Sequence, residues 1–221
     1  FAVGRTQELV YDLHQLRREG RIPEIPIFID SPLATDATAV FAMHPETYDQ
    51  SEALVRRTSN LFDVPMVRFT REVEESKKLN SLHGPMVIIA ASGMAESGRI
   101  LHHLRHGATD PRNTILIVGF QAEHTLGRRI VERRPELKVF GDPVPLNAQV
   151  EVLLGYSAHA DRQELKQWLL RVRSAGEANG RSHPHVLLVH GEPEAQDAFA
   201  LSLREEGFRV DIPEPGDRVP I

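Results

Sequence analysis

"MVIIAASGMAESGRILHHLRHG", residues 86–107, decides the fold. It opens with an unbroken apolar run, passes through a loop of small residues, and ends in a stretch with helical spacing. The run is too short for a core helix, and near-continuous apolarity suits a strand covered on both faces. The same layout precedes and follows it. "IPIFID" (25–30) leads through "SPLAT" into a helical 36–43, and "TILIVGF" (114–120) leads through "QAEHTLG" into "RRIVERR". Strands alternating with helices predict an α/β fold, a mainly parallel sheet flanked by crossover helices.

Working outward, residues 6–19 read as a helix with Leu9, Leu13 and Leu16 on one apolar stripe, stopped by Gly20. Residues 45–81 are more polar, and Leu54, Val55 and Leu61 suggest a helix on the sheet edge. Near 140 the pattern changes. Gly141-Asp142-Pro143 reads as a turn, and the alternation of Val144, Leu146, Ala148 and Val150 predicts a half-exposed antiparallel strand. Then come a helix at about 161–173, a Gly/Ser/Asn-rich loop (174–183), strand "HVLLVH", helix 193–206 and strand "FRVDIP". A domain boundary is expected near 140, separating 1–140 from 141–221.

Composition narrows the function. The chain has 221 residues, with 41% hydrophobic and 26% charged, which is ordinary for a globular protein with a packed core. The net charge of −5 makes any anion site a local patch. With no cysteine, disulfides and thiolate metal sites are excluded, leaving His and carboxylates as metal ligands. No apolar run approaches a membrane span, so a cytoplasmic protein with no membrane partner is expected. The first residue is Phe1, and "FAVGRTQ" reads as a strand feeding a helix, so a piece of a longer protein is expected.

Five loops follow the carboxyl ends of expected strands: "DSPLAT", "ASGMAESG", "GFQAEHTLG", "GYSAHAD" (155–161) and "VHGE" (189–192). In an open parallel sheet that edge binds ligands. Small residues let a ligand approach the backbone, and helix N-termini suit anions. Five such loops on one edge point to an anionic substrate. His159 and His190 occupy equivalent corners.

These stretches, with "FAVGRTQELVYDL", "FGDPVPLNAQVEVLLG" and "VLLVHGEPEA", together resemble the β-CASP branch of the metallo-β-lactamase-fold RNA-processing nucleases. The resemblance runs in order along nearly the whole chain and is least specific over 45–81. It implies a zinc-dependent phosphodiester hydrolase, exonuclease or endonuclease, with a β-CASP domain (1–140) inserted into a metallo-β-lactamase αββα domain. Residues 141–221 would be the C-terminal part of that second domain, and RNA would lie in the cleft between the two. It implies that His159 contacts the scissile phosphate or aids the leaving group, and that His190 completes a metal site. Substrate contacts are then expected at Ser92, Gly93, Ser157 and Arg128.

The departures matter as well. The family's His-x-His-x-Asp-His motif is absent, so two zinc ions are expected in the intact family enzyme and none held tightly by this chain alone. The partner expected for it, besides RNA, is the missing N-terminal lactamase half, with a homodimer through the uncovered strands as a further possibility. The family's usual glycine in "QAxGTLGR" is His124 here, which puts that loop's conformation in question.

Each residue also has a plainer reading. His159 would cap the helix near Asp161 or donate to a carbonyl, and Glu192 would cap helix 193–206. His102 and His106, one turn apart, would chelate a metal or, with Arg99 and Arg105, form a solvated or phosphate-facing flank. His183 and His185 read as surface loop residues. Asp30 is a functional carboxylate or a turn former before Ser31-Pro32. Arg128, Arg129, Arg133 and Arg134 are a solvated helix face or a contact to RNA backbone. Two rival functions stand beside the nuclease: a non-catalytic RNA-binding or scaffold subunit, and an unrelated doubly wound small-molecule enzyme.

Overall fold

The computed structural model describes residues 3–44, 46, 65–156, 159–181 and 183–219. Leu54, Val55, Leu61 and Ser157 lie outside the described residues. The chain forms two compact units, one ending at residue 157 and one spanning 158–221.

The first unit opens with α1 (Arg5–Arg18). Gly20, at φ 69°, ends it, and the Gly20 and Arg21 amides close back on the Arg17 and Leu16 carbonyls. That is a Schellman stop. The stripe is rotated from the expected one. Thr6, Gln7 and Val10 are buried, whereas Leu9, Leu13 and Leu16 are half-buried. The reason is a polar contact that hydropathy does not register: the Gln7 amide donates to Thr38 Oγ1 at 2.8 Å, inside the packing against α2 (Pro32–Met43).

β1 (Ile27–Asp30) is buried along its whole length, as its unbroken apolarity predicts. It is central in a parallel three-stranded sheet, between β2 (Val67–Phe69) and β3 (Val87–Ala90). β2 and the short helix α3 (Val73–Leu79) lie in the stretch that reads as polar; three residues with little burial leave almost no pattern. α4 (Arg99–Gly107) follows β3.

β4 (Thr114–Ile117), α5 (Leu126–Val131) and β5 (Glu136–Val139) come next. β5 pairs antiparallel with β6 (Asp142–Pro145) through a two-residue turn at Phe140 and Gly141, both at positive φ. That is the type I′ geometry that suits a twisted hairpin. The turn therefore precedes Asp142, which already belongs to the strand. The expected single antiparallel strand over 144–150 is in fact two strands. β7 (Gln149–Val152) pairs parallel with β4. Between them the Asn147 and Ala148 amides both donate to the Ala108 carbonyl. Val144, Ala148 and Val150 are buried with Leu146 half-buried, so the alternation is real while the chain changes partner midway.

Ile130, Leu137 and Val139, each fully buried, centre the core beneath β4 and β7. Each such side chain contributes about 1.5–3 kcal/mol. Residues 142–152 thus pack within the first unit, so the change of pattern near 140 is a change of strand pairing. The division into 1–140 and 141–221 rests on the resemblance.

In the second unit, α6 (Arg162–Ala178) runs five residues beyond the expected end at 173. Gly176 is tolerated inside the helix at a cost of about 1 kcal/mol. The stop comes at Gly180, φ 68°, where the Arg181 amide returns to the Gly176 carbonyl. β8 (His185–Leu187) and β9 (Arg209–Asp211) pair in parallel across α7 (Pro193–Glu205). Leu169, Val186, Ala200, Leu203, Phe208 and Val210 form their core.

Candidate functional site

The five strand-end loops belong to three hydrogen-bonded sheets rather than one edge. In the first sheet Asp30 and Ala90 are register partners, so the loops after β1 and β3 leave side by side. Ser31 caps α2 by accepting from the Ala34 amide. Asp30 is fully buried and is not a turn former. It accepts from Ser76 Oγ at 2.5 Å, Arg99 Nη1 at 2.7 Å and His103 Nε2 at 2.7 Å. Burial pushes its carboxyl up, but the bonds from His103, Ser76 and Arg99 outweigh this and hold it below the usual range.

Arg99 also donates to the Thr70 and Arg71 carbonyls, and His103 Nδ1 faces Asn80 Oδ1. The reading of this helix as a solvated or phosphate-facing flank is thus corrected for Arg99, which His103 joins on the inward side. They are turned inward, one helical turn apart, to neutralise a buried carboxylate. His102 packs on Phe140, and His106 Nδ1 bonds the His102 carbonyl, so this pair is not arranged as a chelate. Arg105 is half-exposed and pairs with Asp142.

Loop 91–98 is bonded to loop 119–127. Gln121 Nε2 donates to the Gly93 carbonyl at 2.9 Å, and the Gly127 amide donates to the Met94 carbonyl at 3.0 Å. The Glu96 carboxylate accepts from the Leu126 amide. Gly127 is required here, because a Cβ would overlap Gln121 Oε1. With Thr125 accepting from the Arg128 amide, the first turn of α5 has its N–H groups engaged inside the protein. That end is closed to a phosphate. α4 differs in its cap: Gly98 is its N-cap and no side chain caps it, although the Ile100 and Leu101 amides already donate to the Ala91 and Gly98 carbonyls. Gly98 is held at φ 80°, and a Cβ there would lie 2.9 Å from the Ala91 carbonyl oxygen. Beside that end, Gly93 is exposed and Ser92 half-buried.

Arg128 lines an open groove of about 550 Å³ with Glu123, His124, Arg129, Glu132 and Arg134. Its Nε donates to Glu132 at 3.0 Å, and Arg134 meets the same carboxylate. The basic run is thus partly neutralised by its own helix. His124 sits at φ 66°, so the loop keeps the left-handed conformation that a glycine would favour, with a histidine in it. Ser92 and Gly93 lie in one of the two bonded loops and Arg128 in the first turn of the helix that follows the other, whereas Ser157 lies outside the described residues.

In the second unit His159 and His190 are both exposed. His159 is not the helix cap, because Asp161 fills that role. Asp161 accepts from the Gln163 and Glu164 amides at 2.7 and 2.9 Å, with Glu164 returning to the Asp161 amide. Glu192 occupies the N-cap position of α7 without a side-chain capping bond, and Pro193 follows at the first helical position. Of the two histidines read as surface loop residues, His183 is exposed, while His185 is in β8 and meets Asp211 Oδ2 at 2.7 Å. Among the described residues, no three His, Asp or Glu side chains are grouped to hold a metal ion. One exposed histidine does not make a zinc site, so these residues do not by themselves fit the family's metal.

The pattern of single strands and loops did not reveal the long-range contacts. Arg99 and His103 were findable as an i, i+4 pair on the helix after β3. Tyr156, whose hydroxyl donates to Asp12 Oδ2 and whose carbonyl accepts from Arg5 Nε, has partners more than a hundred residues away that leave no local signal.

A family profile described as the Beta-Casp domain matches residues 6–130, and one described as the Zn-dependent metallo-hydrolase RNA specificity domain matches 143–213. Ribonuclease TTHA0252 of Thermus thermophilus is 37% identical over 222 aligned residues, covering 100% of this chain and 48% of its own. The transcription termination factor FttA of Methanosarcina mazei is 33% identical, covering 92% of this chain and 32% of its own. An RNase J-like protein of Methanocaldococcus jannaschii is 28% identical, with 92% and 44% covered. The chain thus spans between a third and a half of the length of these relatives. No helix among the described residues is long and apolar enough to cross a membrane. The chain belongs to the β-CASP family of metallo-β-lactamase-fold, zinc-dependent RNA-processing nucleases.

Proposed function

We propose that this chain supplies the RNA-holding part of such a nuclease, with residues 1–140 as the β-CASP clamp and 141–221 as the returning lactamase-fold segment. The observation that carries the reading is the order of its parts. Beta-Casp and RNA-specificity matches follow one another along the chain, and both motif histidines are exposed at strand-end loops. RNA phosphates are held at Ser92 and Gly93, before the N-terminus of α4, and at Arg128, with Ser157, two residues before His159 in the sequence, as a further contact. Backbone amides and a helix N-terminus are complementary to a phosphodiester.

His159 gives a proton or positive charge to the departing oxygen, the general-acid role that an imidazole can fill. His190 would be one ligand of a zinc site in the whole enzyme, and such a metal would supply an activated water there. Catalytic zinc takes about three protein ligands. This chain offers one candidate, so by itself it neither retains zinc nor cleaves RNA.

The test is RNA cleavage and metal content, measured on the full gene product and on this chain alone. Zinc-dependent, chelator-sensitive cleavage by the full product only, falling 10²-fold or more on His159→Ala, is expected. RNA binding without cleavage by the full product would instead favour the non-catalytic subunit.

A further inference from the structure

Two consecutive carbonyls of the loop after β3 are held by the loop after β4. Gln121 Nε2 donates to the Gly93 carbonyl at 2.9 Å, and the Gly127 amide donates to the Met94 carbonyl at 3.0 Å. The same Gln121 nitrogen meets the Gly119 and Phe120 carbonyls at 3.3 and 3.0 Å, so the side chain is tied to its own loop while it reaches the other. The Ala122 amide meets Met94 Sδ at 3.4 Å. All of these residues are in the first unit.

A trans peptide group is planar, so its N–H points opposite to its C=O. With the Gly93 carbonyl turned to Gln121, the Met94 N–H is turned away from it. The Ala95 amide closes on the Ser92 carbonyl at 3.2 Å, whereas the Gly93 and Met94 amides donate to no acceptor among the described residues. A backbone N–H calls for a partner. Stability alone does not account for Gln121. It is 6% exposed, and its Oε1 is buried with no hydrogen-bond partner among the described residues, which opposes folding. Gly127 leaves the space that this oxygen occupies. We propose that Gln121 is a positioning residue: it holds the Gly93 carbonyl so that the Gly93 and Met94 amides face an RNA phosphate. Two successive amides without protein acceptors suit an anion. The role rests on the proposed phosphate contact at Gly93 and adds the residue that sets its geometry.

The test uses Gln121→Met in the full gene product, with cleavage kinetics, binding of a short single-stranded RNA under chelator, and denaturation midpoint measured together. Methionine keeps the length of the side chain and removes its amide. KM and the dissociation constant should rise about tenfold, the value of one hydrogen bond to a charged group, with kcat unchanged. The salt slope of binding should not change, because no cation is lost. The RNA is then varied by replacing one phosphate at a time with a methylphosphonate. At one position the replacement should weaken binding to the parent about tenfold and to Gln121→Met not at all, since both changes remove the same contact. Gly127→Ala, which displaces the Gln121 amide, should repeat the result and replaces Gln121→Met if that variant does not fold. Parent-like binding by the folded variant, or an additive loss at every position of the RNA, overturns the positioning role while leaving the functional reading in place. Failure of the unmutated protein to bind the RNA overturns the functional reading and the positioning role with it.

Discussion

Asp30 ends a strand and His159 lies seven residues beyond one, each ahead of a helix, yet their surroundings are opposite. Asp30 is sealed from solvent and accepts from Ser76, Arg99 and His103 on two helices. His159 is exposed, and the helix that follows it is capped by Asp161. The contrast shows that a polar residue in a strand-loop-helix corner is not chemical by virtue of position. Where its partners converge from inside the chain, it holds the fold. An exposed position by itself assigns no role. The two loops of the first unit differ less: the N–H groups that begin α5 are used internally, and at the start of α4, which has no side-chain cap, the Ile100 and Leu101 amides already donate to backbone carbonyls.

The contrast is most easily broken at Asp30. Asp30→Ala leaves Arg99 and His103 inside without their carboxylate, and should cost about 3–5 kcal/mol in urea unfolding. His159→Ala and His190→Ala should stay within about 0.5 kcal/mol of the parent. A comparable loss at either histidine would show that it too is structural.

The acid limb sharpens the same point. The folded-state pKa of Asp30 is lowered, so its contribution is complete above the ordinary carboxylate value and is lost as pH falls through the lowered one. Stability measured from about pH 6 to about pH 2 should therefore fall less steeply in Asp30→Asn than in the parent. Identical slopes would remove Asp30 from the account.

Smaller effects probe the paired loops. Gly127→Ala forces a Cβ onto Gln121 Oε1, whose amide is pinned by three carbonyls, and should cost about 1–3 kcal/mol. His124→Gly relieves a left-handed histidine and should add about 0.5–1 kcal/mol, since the relief exceeds the extra chain entropy of glycine. Both are read as shifts in denaturation midpoint. A neutral Gly127→Ala would mean that the two loops are not tightly joined.

Much of the architecture was legible because it depends on local apolarity. β1, β3, β4, β8 and β9 each fall inside a run that reads as a strand, and Gly20 stops α1 as expected. What was not legible depends on partners. Alternation over 144–150 identified the inward side chains but not that the chain passes from β5 to β4. The α1 stripe was displaced by the Gln7–Thr38 bond, which no hydropathy pattern contains. The site divides in the same way. The motif histidines were visible by resemblance, while the inward-facing Arg99 and His103 and the bonds of Tyr156 to Asp12 and Arg5 needed coordinates.

The account's central claim is that the exposed histidine does chemistry while the buried carboxylate holds the fold. The most direct test is His159→Ala in the full gene product, assayed together for RNA cleavage and unfolding midpoint. Cleavage reduced 10²-fold or more with an unchanged midpoint is the expected result. Cleavage within about threefold of the parent, or a loss matched by an equal fall in stability, would contradict it.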